Sequence, residues 1–217
     1  MKDKIVAEAR QKMLIVAKFL DEISQGKIKP NHITLLSLLG HIPVAIALIA
    51  GEPILAAALL AVFAGMDSLD GALAKVQKTS SLTGMYYDAV SDRAKEIIVF
   101  VALGVYVNSA YTYDYTWLIA AALGTSILVS YTKAKGEMAI SDSANGRIDA
   151  QKINRIFSGG FSSYEVRVLL IIIGLLFTLL PQILALLLIA NVYTIIIRVK
   201  NVSDALEEKN NQEKSKK

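Results

Sequence analysis

The sequence predicts an all-α integral membrane protein with six transmembrane helices, an amphipathic juxtamembrane helix before the first of them, and both termini in the cytoplasm. Three observations predict this class. The 217 residues are 54% apolar and their mean hydropathy is +0.47, which is too high for a soluble globule. Six apolar runs can be read as membrane spans. All 23 Lys and Arg residues lie at one side of these runs.

The six predicted spans are separated by short polar or turn-forming stretches, and Pro181 separates the fifth from the sixth. A span needs about 20 mostly apolar residues, and runs of about 18 or more are candidates. The predicted spans cover residues 33–50, 54–74, 87–107, 117–131, 168–180 and 183–197.

The positions of the cations predict the orientation of these spans. Seven Lys and Arg residues precede the first span, four lie around the turn between the second and third, six lie between the fourth and fifth, and six follow the last. The other three connections carry none. Since cytoplasmic loops collect Lys and Arg, we expect a multi-pass protein of the cell membrane with both termini in the cytoplasm.

The segments that flank the spans differ from them in composition. In residues 1–30, apolar side chains alternate with lysines and acids, which predicts a helix either in the membrane interface or packed on the protein from the cytosol. Residues 31–200 form the six-span domain. Residues 201–217 are polar, and we expect disorder beyond about Glu208. The amino terminus lacks the pattern of a signal peptide, and the absence of cysteine excludes disulfides and cysteine-bound metals.

Acidic residues recur at helical spacing on both sides of the second cytoplasmic turn. Asp67 and Asp70 lie three residues apart, with Gly71, Ala74 and Lys75 after them. Residues three or four apart share one helix face, so Gly84, Asp88 and Asp92 form a second stripe. Two antiparallel helices joined at this turn bring the four carboxylates together near the membrane boundary.

Four neighbouring carboxylates can ionise together only when cations are present. Carboxylate oxygens are hard ligands that suit Mg²⁺ or Mn²⁺, and such ions are commonly shared with substrate phosphates. The small residues beside the acids leave space for a ligand. The set therefore predicts a metal-dependent diphosphate site at Asp67, Asp70, Asp88 and Asp92. The alternative is a solvated loop in which the acids pair with Lys75, Lys78, Arg93 and Lys95.

The same stretch resembles the signature of the CDP-alcohol phosphatidyltransferases, D-x2-D-G-x2-A-R-x8-G-x3-D-x3-D. Every fixed position matches except the arginine, which is Lys75 here. The resemblance implies that an acceptor hydroxyl attacks the β-phosphorus of a CDP-lipid and that CMP leaves. It further implies two metal ions on the four aspartates, Asp92 as the general base, and a homodimer. We expect no nucleic-acid partner.

The resemblance also suggests which residues contact the nucleotide. Gly71, Ala74 and Gly84 would line its pocket and Lys75 would approach its phosphates, with one charge but without the bidentate geometry of arginine. The segment that begins at Pro30 is similar to a P-N-x-[IL]-[TS] segment of the family, in which Asn31 and Thr34 would reach the nucleotide. The alternative for Asn31 is capping of the first span. His32 and His41 are interpreted as structural.

The end of the fourth span is similar to the S-Y-x-[RK]-A-[RK]-x-E segment of the branch that makes inositol-phosphate lipids. In that branch a basic pocket holds the phosphate of the acceptor, and here its members would be Lys133, Lys135 and Arg167. Arg147, Lys152 and Arg155 are further candidates. The favoured acceptor is an inositol phosphate, with glycerol 3-phosphate or serine as alternatives. Cations that merely mark the membrane boundary are the alternative reading of this cluster.

Two other classes of protein use membrane acids. An ion-coupled transporter is expected to carry them near the middle of the membrane, in two related halves. An intramembrane prenyltransferase is expected to have two separate acidic motifs. This chain has one cluster, at the cytoplasmic end of one pair of helices, which favours the transferase.

Overall fold

A computed structural model describes residues 2–143, 157 and 162–214, and the described residues form helices and no strand, which confirms the all-α class. The helices are α1 (Lys2–Ser24), α2 (Pro30–Ile49), α3 (Pro53–Val76), α4 (Leu82–Ala110), α5 (Thr116–Ser143), α6 (Tyr164–Leu176) and α7 (Leu180–Lys214).

Four of these helices, α2, α3, α5 and α7, contain stretches that are long and apolar enough to cross a membrane. The other two predicted spans fall on α4 and α6. Helix α4 carries several charged residues in its first half, and α6 has 13 residues, which at 1.5 Å per residue is shorter than a hydrocarbon layer of about 30 Å. A membrane-embedded helical protein is supported, while six spans and cytoplasmic termini remain a prediction.

The last helix differs from its prediction at both ends. Thr178, with a φ of 55°, forms the turn before it, and Pro181 lies in its first turn, where a missing N–H costs no hydrogen bond. Helix α7 continues to Lys214. Residues 209–214, for which we expect disorder, are therefore helical. Ala205 and Leu206 are partly buried, and adding turns to an existing helix is easier than nucleating one.

The chain divides into two compact units, the first comprising Met1–Tyr115 with Ile171–Leu179 and the second comprising Thr116–Leu170 with Leu180–Lys217. In the first unit α2 packs against α3 and α4. The contact between α2 and α3 is close because Gly40 has no side chain: a Cβ there would lie 2.0 Å from Cδ1 of Phe63. Ser37, one turn earlier, donates to the carbonyl of Phe63 at 2.8 Å.

Helix α1 packs against α3 in the first unit. Its Ala17 is fully buried in a cluster with Ala72 and Leu73 of α3. Its Phe19 and Ile23 are 63% and 66% exposed. One face of α1 therefore packs on the protein while a second apolar face stays open, so the structure supports packing on the protein and leaves the interfacial position of this helix a prediction.

In the second unit α5 packs against α7 around a buried amide. Asn191 of α7 has no exposed surface. It donates to Ser126 Oγ at 3.0 Å and to Thr125 Oγ1 at 3.1 Å, and its carbonyl oxygen accepts a hydrogen bond from Ser162. Because an unpaired amide in an apolar interior is costly, this set of bonds fixes how the two helices and Ser162 meet.

Candidate active site

The predicted turn between the two acidic stripes is present between α3 and α4. Lys78 adopts a φ of 54°, and the amide of Thr79 donates to the carbonyl of Ala74 at 2.9 Å, which closes the end of α3. Ser81 caps α4 by accepting a hydrogen bond from the amide of Gly84 at 3.0 Å. The turn thus places Gly84 and the acids that follow it on the first turns of α4.

A pocket of about 360 Å³ opens beside this turn. A Cβ on Gly71 would meet no other atom of the described residues within 4 Å, so this glycine keeps the pocket wall open. The six residues predicted to contact the nucleotide all line the pocket, together with Asp70 and Asp88: Asn31, Thr34, Gly71, Ala74, Lys75 and Gly84. Six lining residues were not predicted: Lys29, Pro30, Thr79, Ser80, Ser81 and Met85.

Helix α2 contributes three lining residues from its first turns: Pro30, Asn31 and Thr34. The helix begins at Pro30 with Lys29 as its N-cap, so the alternative in which Asn31 caps it is wrong. Proline at the first position is compatible with this start. Thr34 donates to Asp70 Oδ2 at 2.6 Å, and both residues are buried. Thr34 therefore orients an aspartate as well as lining the pocket.

The side chain of Lys95 bridges the carboxylates of Asp67 and Asp92. Lys95 Nζ lies 2.5 Å from Asp67 Oδ1 and 2.8 Å from Asp92 Oδ1, and its side chain has no exposed surface. Ser37 of α2 also donates to Asp67 Oδ1, at 2.9 Å. Arg93 lies 3.8 Å from Asp92 and donates to Glu96 at 2.6 Å.

The contacts of the four cations test the alternative in which the acids form a solvated loop. Two of the four cations named in that alternative do pair with acids, but Lys95 is fully buried, so its ion pairs are not solvated. Lys75 and Lys78 form no salt bridge with the acids in the described part of the chain. The cluster is a buried ionic site that reaches the pocket at Asp70 and Asp88.

The aspartates have the chemistry of a divalent-cation site. Within the described residues no three acids or histidines are grouped as a metal site, and Lys95 lies between Asp67 and Asp92. Asp67 Oδ2 and Asp88 Oδ1 are nevertheless buried and accept no hydrogen bond from the described residues. Buried carboxylate oxygens without donors need a cation or a proton, so the residues present fit a bound Mg²⁺ or Mn²⁺.

The residues predicted to bind the acceptor belong to the second unit. Lys133 lies 3.8 Å from Glu137 one turn later on α5, and Lys135 is exposed. Arg167 is 2% exposed and donates to the carbonyl of Ser162 at 2.8 Å. Three further candidates lie outside the described residues: Arg147, Lys152 and Arg155.

Sequence reasoning missed Arg198 on α7. Its Nη1 donates to the carbonyl of Val129 at 2.6 Å, while its Nε is buried without a hydrogen-bond partner among the described residues. It lies within electrostatic range of Arg167 and Glu137. The available signal was weak: Arg198 is the first charged residue after a long apolar run, a position where cations are common.

The two histidines interpreted as structural lie on α2. His41 is fully buried and its Nδ1 donates to the carbonyl of Ser37 at 2.8 Å. His32 is exposed, and its Nδ1 accepts a hydrogen bond from the amide of Lys29 at 3.3 Å. Neither belongs to a group that could hold a metal within the described residues.

The chain is similar to proteins that make inositol-phosphate lipids. It is 35% identical over 127 residues to the phosphatidylinositol phosphate synthase of Corynebacterium glutamicum, covering 56% of each chain. It is 32% identical over 141 residues to the archaetidylinositol phosphate synthase of Pyrococcus horikoshii, covering 64% of this chain and 70% of that one. The match thus spans little more than half the length of the Corynebacterium relative.

The fold is similar to that of the Mycobacterium tuberculosis phosphatidylinositol phosphate synthase PgsA1. The crystal structure of that protein with CDP-DAG bound superposes with a TM-score of 0.69 at 24% identity, covering 88% of this chain and 92% of the other. Its complex with manganese and citrate superposes with a TM-score of 0.69 at 25% identity, covering 88% of each chain.

A family model matches residues 27–199, a segment that contains the acidic motif, the pocket and every described residue predicted to bind a substrate. The motif and the comparisons agree, and the chain belongs to the CDP-alcohol phosphatidyltransferase family.

Proposed function

We propose that this protein transfers a phosphatidyl-type group, either diacylglycerol phosphate or archaeol phosphate, from a CDP-lipid to an inositol phosphate and releases CMP. The observation that carries the proposal is the pocket beside the α3–α4 turn. Asp70 and Asp88 line it together with two small residues of the motif, Gly71 and Gly84. Its volume of about 360 Å³ lies within the range of small-molecule sites.

The walls of the pocket suit the nucleotide part of the donor. Gly71 leaves open space at one wall, and a Cβ on Gly84 would lie 3.2 Å from Ser81 Oγ, so a larger residue there would crowd the cap of α4. Lys29 and Lys75 add two positive charges to the lining, which favours an anionic diphosphate. Asn31 brings an amide that can donate to or accept from a base.

The aspartates supply the chemistry in this proposal. Asp67, Asp70, Asp88 and Asp92 would hold the divalent cations, which when bound neutralise charge on the diphosphate and orient the leaving group. Thr34 and Ser37 hold Asp70 and Asp67 in place. Asp92 would accept the proton of the acceptor hydroxyl as its oxygen bonds to the β-phosphorus, and the bond from that phosphorus to CMP breaks.

The proposed acceptor site rests on cations in the second unit. Arg167 and Arg198 are two guanidinium groups within electrostatic range of each other, and the Nε of Arg198 lacks a partner among the described residues. Like charges in a largely buried setting favour a bound anion such as a phosphate. The names of the Corynebacterium and Pyrococcus relatives support an inositol phosphate as the source of that phosphate. A homodimer with its active sites at the cytoplasmic side of the membrane completes the proposal.

The test is release of CMP by the purified protein in detergent. CDP-diacylglycerol and CDP-archaeol are each supplied with Mg²⁺ or Mn²⁺ and one acceptor from a panel of inositol 3-phosphate, glycerol 3-phosphate, serine and free inositol. We expect metal-dependent release with inositol 3-phosphate only. Asp92→Asn serves as the inactive control.

Other outcomes separate the parts of the proposal. Release with glycerol 3-phosphate but not with inositol 3-phosphate would keep the donor chemistry and refute the acceptor. No release from any combination by folded protein would refute the transferase, and ion-coupled transport would then be measured in vesicles.

A further inference from the structure

Lys95 is a fully buried ammonium that the family motif does not include. It lies on α4 three residues after Asp92, and Nζ is 2.5 Å from an oxygen of Asp67 and 2.8 Å from an oxygen of Asp92. A buried charge is strongly unfavourable unless it is paired and hydrogen-bonded. Lys95 is therefore held in place by these carboxylates, and they are held by it.

The position of Lys95 makes it a link between helices. Asp92 shares its helix, whereas Asp67 belongs to α3, and Ser37 joins Asp67 to α2. One ammonium thus orders carboxylates from two helices, and a third helix contributes through the hydroxyl.

The oxygens that Lys95 contacts belong to carboxylates that a divalent cation would also use. When the four aspartates are ionised they carry four negative charges, of which Lys95 offsets one. The oxygens Asp67 Oδ2 and Asp88 Oδ1 remain buried without hydrogen-bond partners in the described part of the chain. The cluster is thus partly compensated by Lys95 and partly open to a cation.

We propose that Lys95 is an internal counter-cation: it competes with the divalent cation for Asp67 and Asp92 and thereby raises the metal concentration that the site requires. This inference rests on the proposed function, because it takes the four aspartates as the metal site. Lys95 is a positioning residue here and touches neither substrate.

A purely structural salt bridge predicts a different result. If Lys95 only holds the helices together, removing it loosens Asp67 and Asp92 and leaves metal binding unchanged or weaker. If Lys95 competes with the metal, removing it leaves an uncompensated carboxylate and strengthens metal binding. Two unit charges about 4 Å apart near a protein surface interact strongly enough to change affinity tenfold or more.

The experiment measures Mn²⁺ binding to the purified protein in detergent, without CDP-lipid, from the electron paramagnetic resonance signal of free Mn²⁺. The variant is Lys95→Met, and the matched control is Lys78→Met, which removes one charge from an exposed residue of the α3–α4 turn. We expect Mn²⁺ to bind about tenfold more tightly to Lys95→Met than to the unaltered protein, with Lys78→Met unchanged. Equal or weaker binding by Lys95→Met would overturn the proposal.

A second readout is thermal unfolding with and without Mn²⁺. Lys95→Met should unfold at a lower temperature than the unaltered protein without metal, and Mn²⁺ should raise its unfolding temperature by more, because tighter ligands stabilise more at a given concentration. The variant Lys95→Arg keeps the charge and should retain the original Mn²⁺ affinity. A gain in affinity in both variants would assign the effect to packing and contradict the proposal.

The outcomes distinguish this inference from the proposed function. If the unaltered protein binds Mn²⁺ and releases CMP while Lys95→Met binds Mn²⁺ no more tightly, only the role of Lys95 fails. If the unaltered protein binds no Mn²⁺ and releases no CMP, the proposed function fails first.

Discussion

Two buried polar clusters of the molecule, one in each unit, pair their side chains in contrasting ways. In the first, Lys95 is surrounded by carboxylates, and Asp67 Oδ2 and Asp88 Oδ1 remain without hydrogen-bond partners among the described residues. In the second, the neutral amide of Asn191 uses its carbonyl oxygen and its amino group in hydrogen bonds. The first cluster is ionic and incomplete, and the second is neutral and satisfied.

This contrast separates a reactive site from a structural one. A satisfied neutral network stabilises one arrangement of helices and has no capacity left for a ligand. An ionic cluster with unpaired oxygens is costly by itself and becomes favourable when a cation or a charged ligand arrives. Incomplete pairing is therefore the physical feature that points to chemistry in the first unit.

The largest effect is expected when the ionic cluster loses its proposed base. Asp92→Asn should reduce the rate of CMP release by about 10³-fold, because an amide cannot take the proton of the acceptor. Asp204→Asn, an exposed aspartate of α7, is the matched control and should keep the original rate. The rate is measured under saturating donor and acceptor, and retention of activity by Asp92→Asn would assign the base to another residue.

Close packing beside the ionic cluster gives the next effect. Gly40→Ala should lower the free energy of unfolding by about 1–3 kcal/mol, because the new Cβ would lie 2.0 Å from the Phe63 ring. Gly65→Ala on α3 is the control, since a Cβ there would meet no atom of the described residues within 4 Å, and it should be neutral or slightly stabilising. Thermal unfolding in detergent measures both, and equal effects would contradict the close contact of α2 with α3.

The hydrogen bonds of Asn191 should contribute somewhat less to the free energy of unfolding than the contact of Gly40 with Phe63. Asn191→Leu should lower the free energy of unfolding by about 1–2 kcal/mol, because it removes bonds to Ser126 and Ser162 at an apolar contact. Thr194→Val is the comparison variant: Thr194 is as buried, but among the described residues its hydroxyl donates only to Ala190 of its own helix, at 2.7 Å. The unfolding temperature should fall more in Asn191→Leu than in Thr194→Val. An equal fall in both variants would show that loss of burial, and not loss of hydrogen bonds between helices, sets the loss of stability.

The smallest effect concerns the donor pocket. Lys75→Arg should lower the KM for CDP-lipid by a few fold, because a guanidinium can bind two phosphate oxygens where an ammonium binds as a point charge. Lys78→Arg, in the turn next to the pocket but not in its lining, should leave KM unchanged. A titration of CDP-lipid at fixed acceptor separates the two, and an unchanged KM in Lys75→Arg would place the donor phosphates elsewhere.

Helical spacing predicted which residues of α3 and α4 lie side by side. The spacing of Asp70 and Gly71 on one helix and of Gly84 and Asp88 on the next places them on faces that line one pocket in the structure, because helical periodicity is set by the backbone and holds wherever a helix forms. The end of α7 was predicted less well, since apolar side chains of residues 201–206 extend a helix that composition alone treats as a polar tail.

The sequence by itself determined the class of the protein, the motif and the family, because hydropathy, helical spacing and the seven matching residues of the motif are properties of short segments. Only the tertiary structure decided the partners of those residues: Thr34 for Asp70, Ser37 and Lys95 for Asp67, and Asn191 for Ser162. These pairs join different elements of the chain. Which faces of apolar helices pack together depends on the fit between side chains of two helices, as at Gly40 and Phe63. That fit cannot be read from either segment alone.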